Sequence, residues 1–366
     1  MKTAVNITII PMARIINALK IVSFTRSRFR GKIGGIILRL FLNINLFLIP
    51  FYFPSRVLAQ EKRYEFEKGL MGSPFRLVLY ASSDSLANAG ADAAFSRIET
   101  LNEILSDYRD GSEINRLSGS SGSGEWMGVS DDLFKILFLA KKISRRTRGS
   151  FDVTVGPVVQ LWRRAVRRNS FPTEAELREA RRSVGYRYVK LRCRSQSVRL
   201  TRKNMRLDVG GIGKGYAADE AMKTLGKLGI NSVLIDAGGD ITLTDPPPRK
   251  ATWEVNINSG KPQDSTASTL SLANAGIATS GATYRYLEHE GVRYSHIVNP
   301  ETGVGLRFHV RTTVVAPNGT LADALATAFS VTGVKRSKKI LRKFSDVKVW
   351  LLEINGDKTI ELNTLK

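Results

Sequence analysis

The chain has 366 residues, with 56 Lys+Arg against 33 Asp+Glu for a formal charge of +23, and 42% apolar and 8% aromatic content. That balance excludes intrinsic disorder, a collagen-like repeat and a polytopic membrane protein, and it supplies enough apolar side chains for a substantial core. The single cysteine, Cys193, excludes an internal disulfide and an all-cysteine metal site, and three histidines (His289, His296, His309) do not suggest a multi-histidine zinc centre.

Residues 1–59 hold nine Lys/Arg and no Asp or Glu, which leaves +14 of the +23 to the rest of the chain. A basic run from Arg26 to Lys32 precedes the apolar stretch LFLNINLFLIPFYF at 40–53, and Val57 and Ala59 suit a signal-peptidase site. The segment reads as a secretory signal peptide cut near Ala59–Gln60. The alternative is an uncleaved N-terminal anchor, because the apolar run including Gly34–Ile37 approaches the ~20 residues that span a bilayer. Arg39, Asn43 and Asn45 inside the run weigh against it. In both cases the body, residues 60–366, is expected to be exported: periplasmic or attached to the outer face of the inner membrane.

From Gln60 onward the pattern mixes strands and helices. PFRLVLYASS (74–83) alternates like a strand, and residues 86–106 carry Leu86, Ala93, Ile98, Leu101 and Leu105 at helical spacing. SGSSGSGEW (118–126) is a Gly/Ser loop. DDLFKILFLAKKISRRT (131–147) has an acidic start and a basic end, as the helix dipole favours. TEAELREARRSVG (173–185) repeats that layout, with Thr173 as N-cap and Gly185 as stop. A hairpin is expected at 187–191 and 197–201, and a helix from Tyr216 to Leu228. NSVLIDAGGDITL reads as strand, Gly-Gly turn, strand, and a strand follows the proline turn before TWEVNI. Strands are expected near 269–279, 292–298, 310–316, 347–352 and 358–362, with a helix at 321–332. Runs of strands broken by packed helices indicate α+β, with mixed or antiparallel sheets, in one domain.

MRLDVGGIGKGYAADEA (205–221) is the most informative stretch. An apolar strand ending in Asp208 runs into Gly210, Gly211, Gly213 and Gly215 around Lys214, and then into a helix. Such a turn suits either close approach to a phosphate or a tight structural bend. It is neither a Walker loop, because Gly215 follows Lys214, nor a Rossmann fingerprint, because the spacing differs. Farther on, Asp323 and Thr327 stand four apart in LADALATAFSVTG, on one helix face. A carboxylate and a hydroxyl so placed can hold a hard cation; equally, Asp323 can cap the helix and Thr327 can satisfy its own i−4 carbonyl.

Taken together, the ordered blocks resemble the ApbE family, the FAD:protein FMN transferases that attach FMN covalently to other proteins. The blocks are Met71-Gly72-Ser73, LSDYRDGSEINRL (105–117), GSFDVTVGPVVQLW (149–162), LDVGGIGKGYAAD (207–219), IDAGGDI (235–241), ATSG (278–281), SHIVNP (295–300) and ADALATAF (322–329). The resemblance covers nearly all of 69–333 and implies a T-fold-like ApbE architecture. It implies FAD contacts at Met71, Tyr108, Ser150, Phe151, Asp152, Asp208, Lys214 and Val298. It implies Mg²⁺ ligands at the Gly211 carbonyl, Asp323 and Thr327, with His296 as the candidate base and Asp323 as the alternative one. The reaction implied is Mg²⁺-dependent transfer of FMN from FAD to a Thr or Ser hydroxyl, releasing AMP. The acceptor implied is a protein with an FMN-binding domain carrying a Ser-Gly-Ala-Thr-like motif. The alternatives are an FAD pyrophosphatase giving FMN and AMP, or a non-catalytic flavin-binding protein.

Two departures from the family pattern matter. Asn299 stands where the family usually has Asp, a change that preserves a turn role but not a catalytic one. Ala282 and Thr283 follow the Thr-Ser-Gly turn, so that Ser280-Gly281-Ala282-Thr283 looks like an acceptor motif and raises self-flavinylation at Thr283. The arginine pairs at 145–146, 163–164, 167–168 and 181–182 are either solvated helix faces or a patch for an anionic membrane surface or an acidic partner. Nucleic acid is not an expected partner.

Overall fold

The computed structural model describes residues 60–258, 267–281, 286–355 and 358–365. The expected signal segment 1–59 and Thr283 lie outside the described residues. The chain begins with β1 (Lys62–Leu70), β2 (Ser73–Ala81), α1 (Asp84–Leu105), α2 (Glu113–Gly119), β3 (Met127–Gly128), α3 (Asp131–Arg146), α4 (Gly156–Arg168) and α5 (Glu174–Arg182). It continues through β4 (Val189–Arg192), β5 (Ser197–Leu200), α6 (Gly213–Lys227), β6 (Val233–Ala237), β7 (Ile241–Leu243), β8 (Trp253–Asn258) and β9 (Ala267–Leu272). The last third holds β10 (Ala275–Gly281), β11 (Tyr286–His289), β12 (Val292–Ser295), β13 (His309–Ala316), α7 (Gly319–Leu341), β14 (Lys348–Asn355) and β15 (Lys358–Asn363).

Eight strands pair in the order β1-β2-β6-β7-β10-β13-β14-β15, every ladder antiparallel. Alternation in β2 sends Phe75, Leu77 and Leu79 to one face and Val78 to the other. The first face packs on α1, α6 and α7 in the main core, where full burial of each large apolar side chain contributes about 1.5–3 kcal/mol. Trp253, Val255 and Ile257 of β8 cover the second face. A third cluster sets Val158, Trp162 and Ala165 of α4 against Leu287 and Tyr294 of the β11–β12 hairpin, with Trp162 Nε1 donating to the Gly303 carbonyl at 2.7 Å. Among the described residues the buried apolar side chains of the three clusters fall between Leu70 and Leu351, and the chain from Ala59 onward forms one compact unit. The α+β architecture is the one expected.

Local signals placed several elements closely. Thr173 and Glu176 make a reciprocal capping box at the start of α5, and Gly238 and Gly239 take positive φ (68° and 98°) in the β6–β7 turn. Other expectations need correction. Residues 205–208 form no strand ladder, only a bridge between Arg206 and Val155, because the Leu207 amide donates to Ser118 Oγ and that of Asp208 to the Val153 carbonyl. The strand expected over 269–279 is two: Asn274 takes a positive φ of 50°, and β9 pairs with β8 while β10 enters the main sheet. Helix α4, with Pro157 in its first turn and Asn169 as a left-handed cap, starts within the block 149–162 and runs on to Arg168, where no helix is expected from the sequence. The late helix runs on to Leu341, past a break at Gly333. There the Val334 amide donates to Glu353 of β14 at 2.9 Å.

Candidate active site

The start of α7 explains how two acidic side chains divide their work. Asn318 caps the helix by accepting from the Leu321 amide at 2.9 Å. Asp219, reaching across from α6, accepts from the Gly319 and Thr320 amides at 2.8 and 2.9 Å. Capping is thereby complete without Asp323, which points instead at α6 and accepts from the Gly215 amide at 3.2 Å. The approach is close: a Cβ on Gly215 would stand 2.2 Å from the Gly319 carbonyl oxygen, so only glycine lets these two helix starts touch.

One turn along α7, Thr327 meets the bend before α6. A Cβ on Gly211 would stand 2.8 Å from Thr327 Oγ1. Hence the Gly211 backbone, the Thr327 hydroxyl and the Asp323 carboxylate converge, although they come from segments far apart in sequence. Lys214, on the first turn of α6, pairs with Asp240 from the β6–β7 connection, and Asp240 also accepts from the Thr279 amide at 3.3 Å. Burial alone would lower the Lys214 pKa, but Asp240 and Asp323 raise it. Asp323 is pushed up to about 7, chiefly by burial and by Asp240, against the pull of Lys214 and the Gly215 amide. Two buried carboxylates thus share one ammonium, and the local charge is short of a cation.

These groups line a cavity of about 430 Å³ with Ser150, Phe151, Asp152, Arg163, Asp208, His296 and Val298. Phe151 and Val298 are buried and supply apolar wall, whereas His296 is exposed. Asp152 accepts from the Thr154 amide and hydroxyl at 2.9 and 2.7 Å and from the Tyr186 amide at 2.7 Å, so its carboxylate shapes the wall as well as facing the cavity. Asp208 accepts from the Gly210 amide at 2.8 Å, which tightens the glycine bend, and burial together with Asp107 raises its pKa. Arg163 spans Asp107 at 2.6 Å and Asp208 at 3.2 Å, and its guanidinium lies 4.2 Å from the centroid of the Tyr108 ring.

Ten of the twelve expected site residues are therefore brought together. Tyr108 stands outside the cavity, 72% exposed, at its rim over Arg163. Met71, in left-handed conformation (φ 49°) between β1 and β2, reaches the start of α6, its Cε 3.7 Å from where a Gly213 Cβ would lie. Asn299 serves the turn: its Oδ1 accepts from the Glu301 amide at 2.9 Å. Asp240 and Arg163 were missed as site residues. Asp240 lies in IDAGGDI, where nothing local marks a role, and Arg163 is marked in the sequence only as one of the paired arginines.

The donor set fits a hard divalent cation. A backbone carbonyl, a hydroxyl and a buried carboxylate are all oxygen ligands, Gly211, Thr327 and Asp323 line one cavity with Thr327 Oγ1 packed against Gly211, and the charge balance favours a cation. Among the described residues no group of three or more His, Cys, Asp and Glu could hold a metal, so a softer all-side-chain centre is not offered.

The fold is α+β, and its cavity joins apolar wall from Phe151 and Val298 to the Lys214–Asp240 pair and to oxygen donors suited to a hard cation. Residues 71–351 match the model of the ApbE family. A Treponema pallidum protein named FAD:protein FMN transferase is 30% identical over 306 residues, covering 79% of this chain and 84% of that protein. The flavin transferase ApbE from Vibrio cholerae superposes with a TM-score of 0.71 at 26% identity, covering 83% of this chain and 97% of that one. The apo Pseudomonas stutzeri flavinyl transferase shares the fold with a TM-score of 0.74 at 23% identity, over 83% of this chain and 95% of that one. The chain belongs to the ApbE family.

Proposed function

We propose that the protein transfers FMN from FAD to a Thr or Ser hydroxyl of an acceptor protein and releases AMP, with Mg²⁺ held by the Gly211 carbonyl, Asp323 and Thr327. The observation that supports this reading is that Gly211, Asp323 and Thr327 line one cavity with Lys214, Phe151 and His296, with Thr327 Oγ1 packed against Gly211. In the reaction, the acceptor oxygen forms a bond to the flavin-side phosphorus while the phosphoanhydride bond breaks, and AMP leaves with the bridging oxygen. Phosphoryl transfer of this kind depends on positioning and charge neutralisation more than on covalent chemistry. A bound divalent ion supplies charge stabilisation on the pyrophosphate.

The chain's own residues do the rest. Lys214 places an ammonium against phosphate oxygens, and Asp240 holds that ammonium in place. Phe151 and Val298 pack against ring surface, with Tyr108 at the rim. His296 is the exposed imidazole of the cavity, where an acceptor hydroxyl can approach and lose its proton. The acceptor is a protein with an FMN-binding domain carrying a Ser-Gly-Ala-Thr-like motif. We assign residues 1–59 as an export signal, which places the enzyme in the periplasm or on the outer face of the inner membrane.

The test incubates the protein with FAD and Mg²⁺, with and without a purified acceptor, and follows AMP and intact mass. Flavin on the acceptor with equimolar AMP supports transfer. AMP without labelled acceptor means a pyrophosphatase, bound FAD without either product means a carrier, and an FMN adduct on this chain means self-modification.

A further inference from the structure

Between Arg187 and Arg206 the chain carries eight Lys/Arg and no Asp or Glu. The structure sets three of these cations, Lys190, Arg192 and Arg199, on one sheet face. Strands β3, β5 and β4 form a three-stranded sheet in which Val189, Val198 and Leu200 turn inward, while Lys190 and Arg199 stand directly opposite each other on the outer side. Like charges in directly opposed positions repel. Among the described residues no ion pair reaches any cation of this stretch. Its positive field extends to Lys141, whose pKa is lowered by burial and by Lys190 and Arg145.

Aromatic rings are set among these cations. The guanidinium groups of Arg192 and Arg199 lie 4.2 and 4.7 Å from the centroid of the Trp126 ring, and that of Arg202 lies 3.9 Å from the Tyr188 ring. Stacking holds each guanidinium plane while leaving edge N–H donors for phosphate oxygens. Arg199 Nε is buried without a hydrogen-bond partner. Arg187 and Tyr188 also line a cleft of about 390 Å³ that shares Ser150, Asp152 and Pro300 with the catalytic cavity. The basic face therefore adjoins the site.

We propose that the outer face of the β3–β5–β4 sheet docks on an anionic lipid surface, with Lys190, Arg192 and Arg199 on headgroup phosphates and Trp126 at headgroup depth. A lipid surface suits this face better than a folded partner. Its cations are spread over an open sheet rather than around a pocket, and its Trp and Tyr are the residues that settle at a membrane–water boundary. Just past β5, Arg202 donates to the Arg182 carbonyl at 2.7 Å, which brings the arginine pair 181–182 next to this sheet; the other three pairs fall on α3 and α4.

The test uses the chain from Gln60, a compact unit that carries all three described apolar clusters, in sedimentation with vesicles of phosphatidylcholine alone or mixed with phosphatidylglycerol. The protein is expected to sediment with the mixed vesicles, not with the neutral ones, and to be released by added salt. The double variant Lys190→Gln/Arg192→Gln is expected to bind the mixed vesicles roughly 30-fold less tightly, from the charge lost near the surface. The control Lys338→Gln/Lys339→Gln removes the same charge from the exposed side of α7 and is expected to change binding less than about twofold. Thermal melting of both variants checks that they fold. Equal binding to neutral vesicles, no binding to mixed ones, or equal loss in the control overturns the proposal. Tighter binding to soluble polyglutamate than to mixed vesicles at matched charge also overturns it, in favour of an acidic polypeptide.

Discussion

The sharpest consequence of the cavity geometry concerns Gly211→Ala. The backbone at Gly211 is not among the positive-φ positions, so the substitution is opposed by space alone. The new methyl would lie 2.8 Å from Thr327 Oγ1, 3.3 Å from its Cγ2 and 3.4 Å from its Cβ, which is tighter than van der Waals contact. Either the bend retreats from α7 or Thr327 rotates away. Overpacking of this kind costs about 1–3 kcal/mol. For a domain of this size that is a fall in Tm of about 2–4 °C per kcal/mol. Both escapes separate the Gly211 carbonyl from the Thr327 hydroxyl, so the Mg²⁺ concentration for half-maximal flavin transfer should rise at least about tenfold. Thermal melting and Mg²⁺ titration of AMP release measure the two effects. Adding Thr327→Ala removes the clashing atoms, so the double variant should regain Tm while its Mg²⁺ requirement stays high. If Gly211→Ala leaves the Mg²⁺ response unchanged, or if the double variant restores both quantities, the shared ligand site is wrong.

Three further expectations follow from individual contacts. Gly215→Ala should cost about 3 kcal/mol or more, because its Cβ would meet the Gly319 backbone rather than a side chain that can move; a melting point within about 2 °C of the parent would contradict the packing. Arg163→Ala leaves Asp107 and Asp208 facing each other without their shared cation; it should destabilise by about 2–3 kcal/mol and raise the KM for FAD, with Arg163→Lys intermediate, and an unchanged Tm would contradict the bridge. Burial works to raise the Glu220 pKa, yet Lys135, Lys223 and Arg97 bring it down from 4.5 to about 2. Its stabilising contribution is therefore complete above pH 4.5 and is lost as pH falls toward 2. With both lysines about half exposed, that contribution is about 1–2 kcal/mol. Glu220→Gln should flatten the pH dependence of melting across this window, and parallel profiles for variant and parent would contradict the network.

How far the site was legible depends on which residues depended on neighbours in sequence. Asp323 and Thr327 are one helical turn apart, so their common face follows from the period alone. The acidic start and basic end of α3 and the capping box of α5 are likewise local, because their partners lie within one turn. The extended segment 205–208 misled for the opposite reason. Its apolar alternation suits a strand, but Ser118 and Val153 take its amides. Asp240 and Arg163 carried no local mark of their function. Each acquires it from a partner far along the chain: Lys214 for the first, Asp107 and Asp208 for the second.

By itself the amino-acid order determined helices α1, α3, α5 and α6, the capping box of α5, the Gly-Gly turn between β6 and β7, the α+β class and the family, since these rest on short-range periodicity and on motif order. Only the tertiary structure decided that Asp219 reaches across to cap α7, so that Asp323 is left to meet Gly215, and that the Gly211 bend touches Thr327. It alone put Lys190 opposite Arg199 on an outward sheet face. Contacts of that range are set by packing of α6 against α7 and by strand register, and no local spacing encodes either.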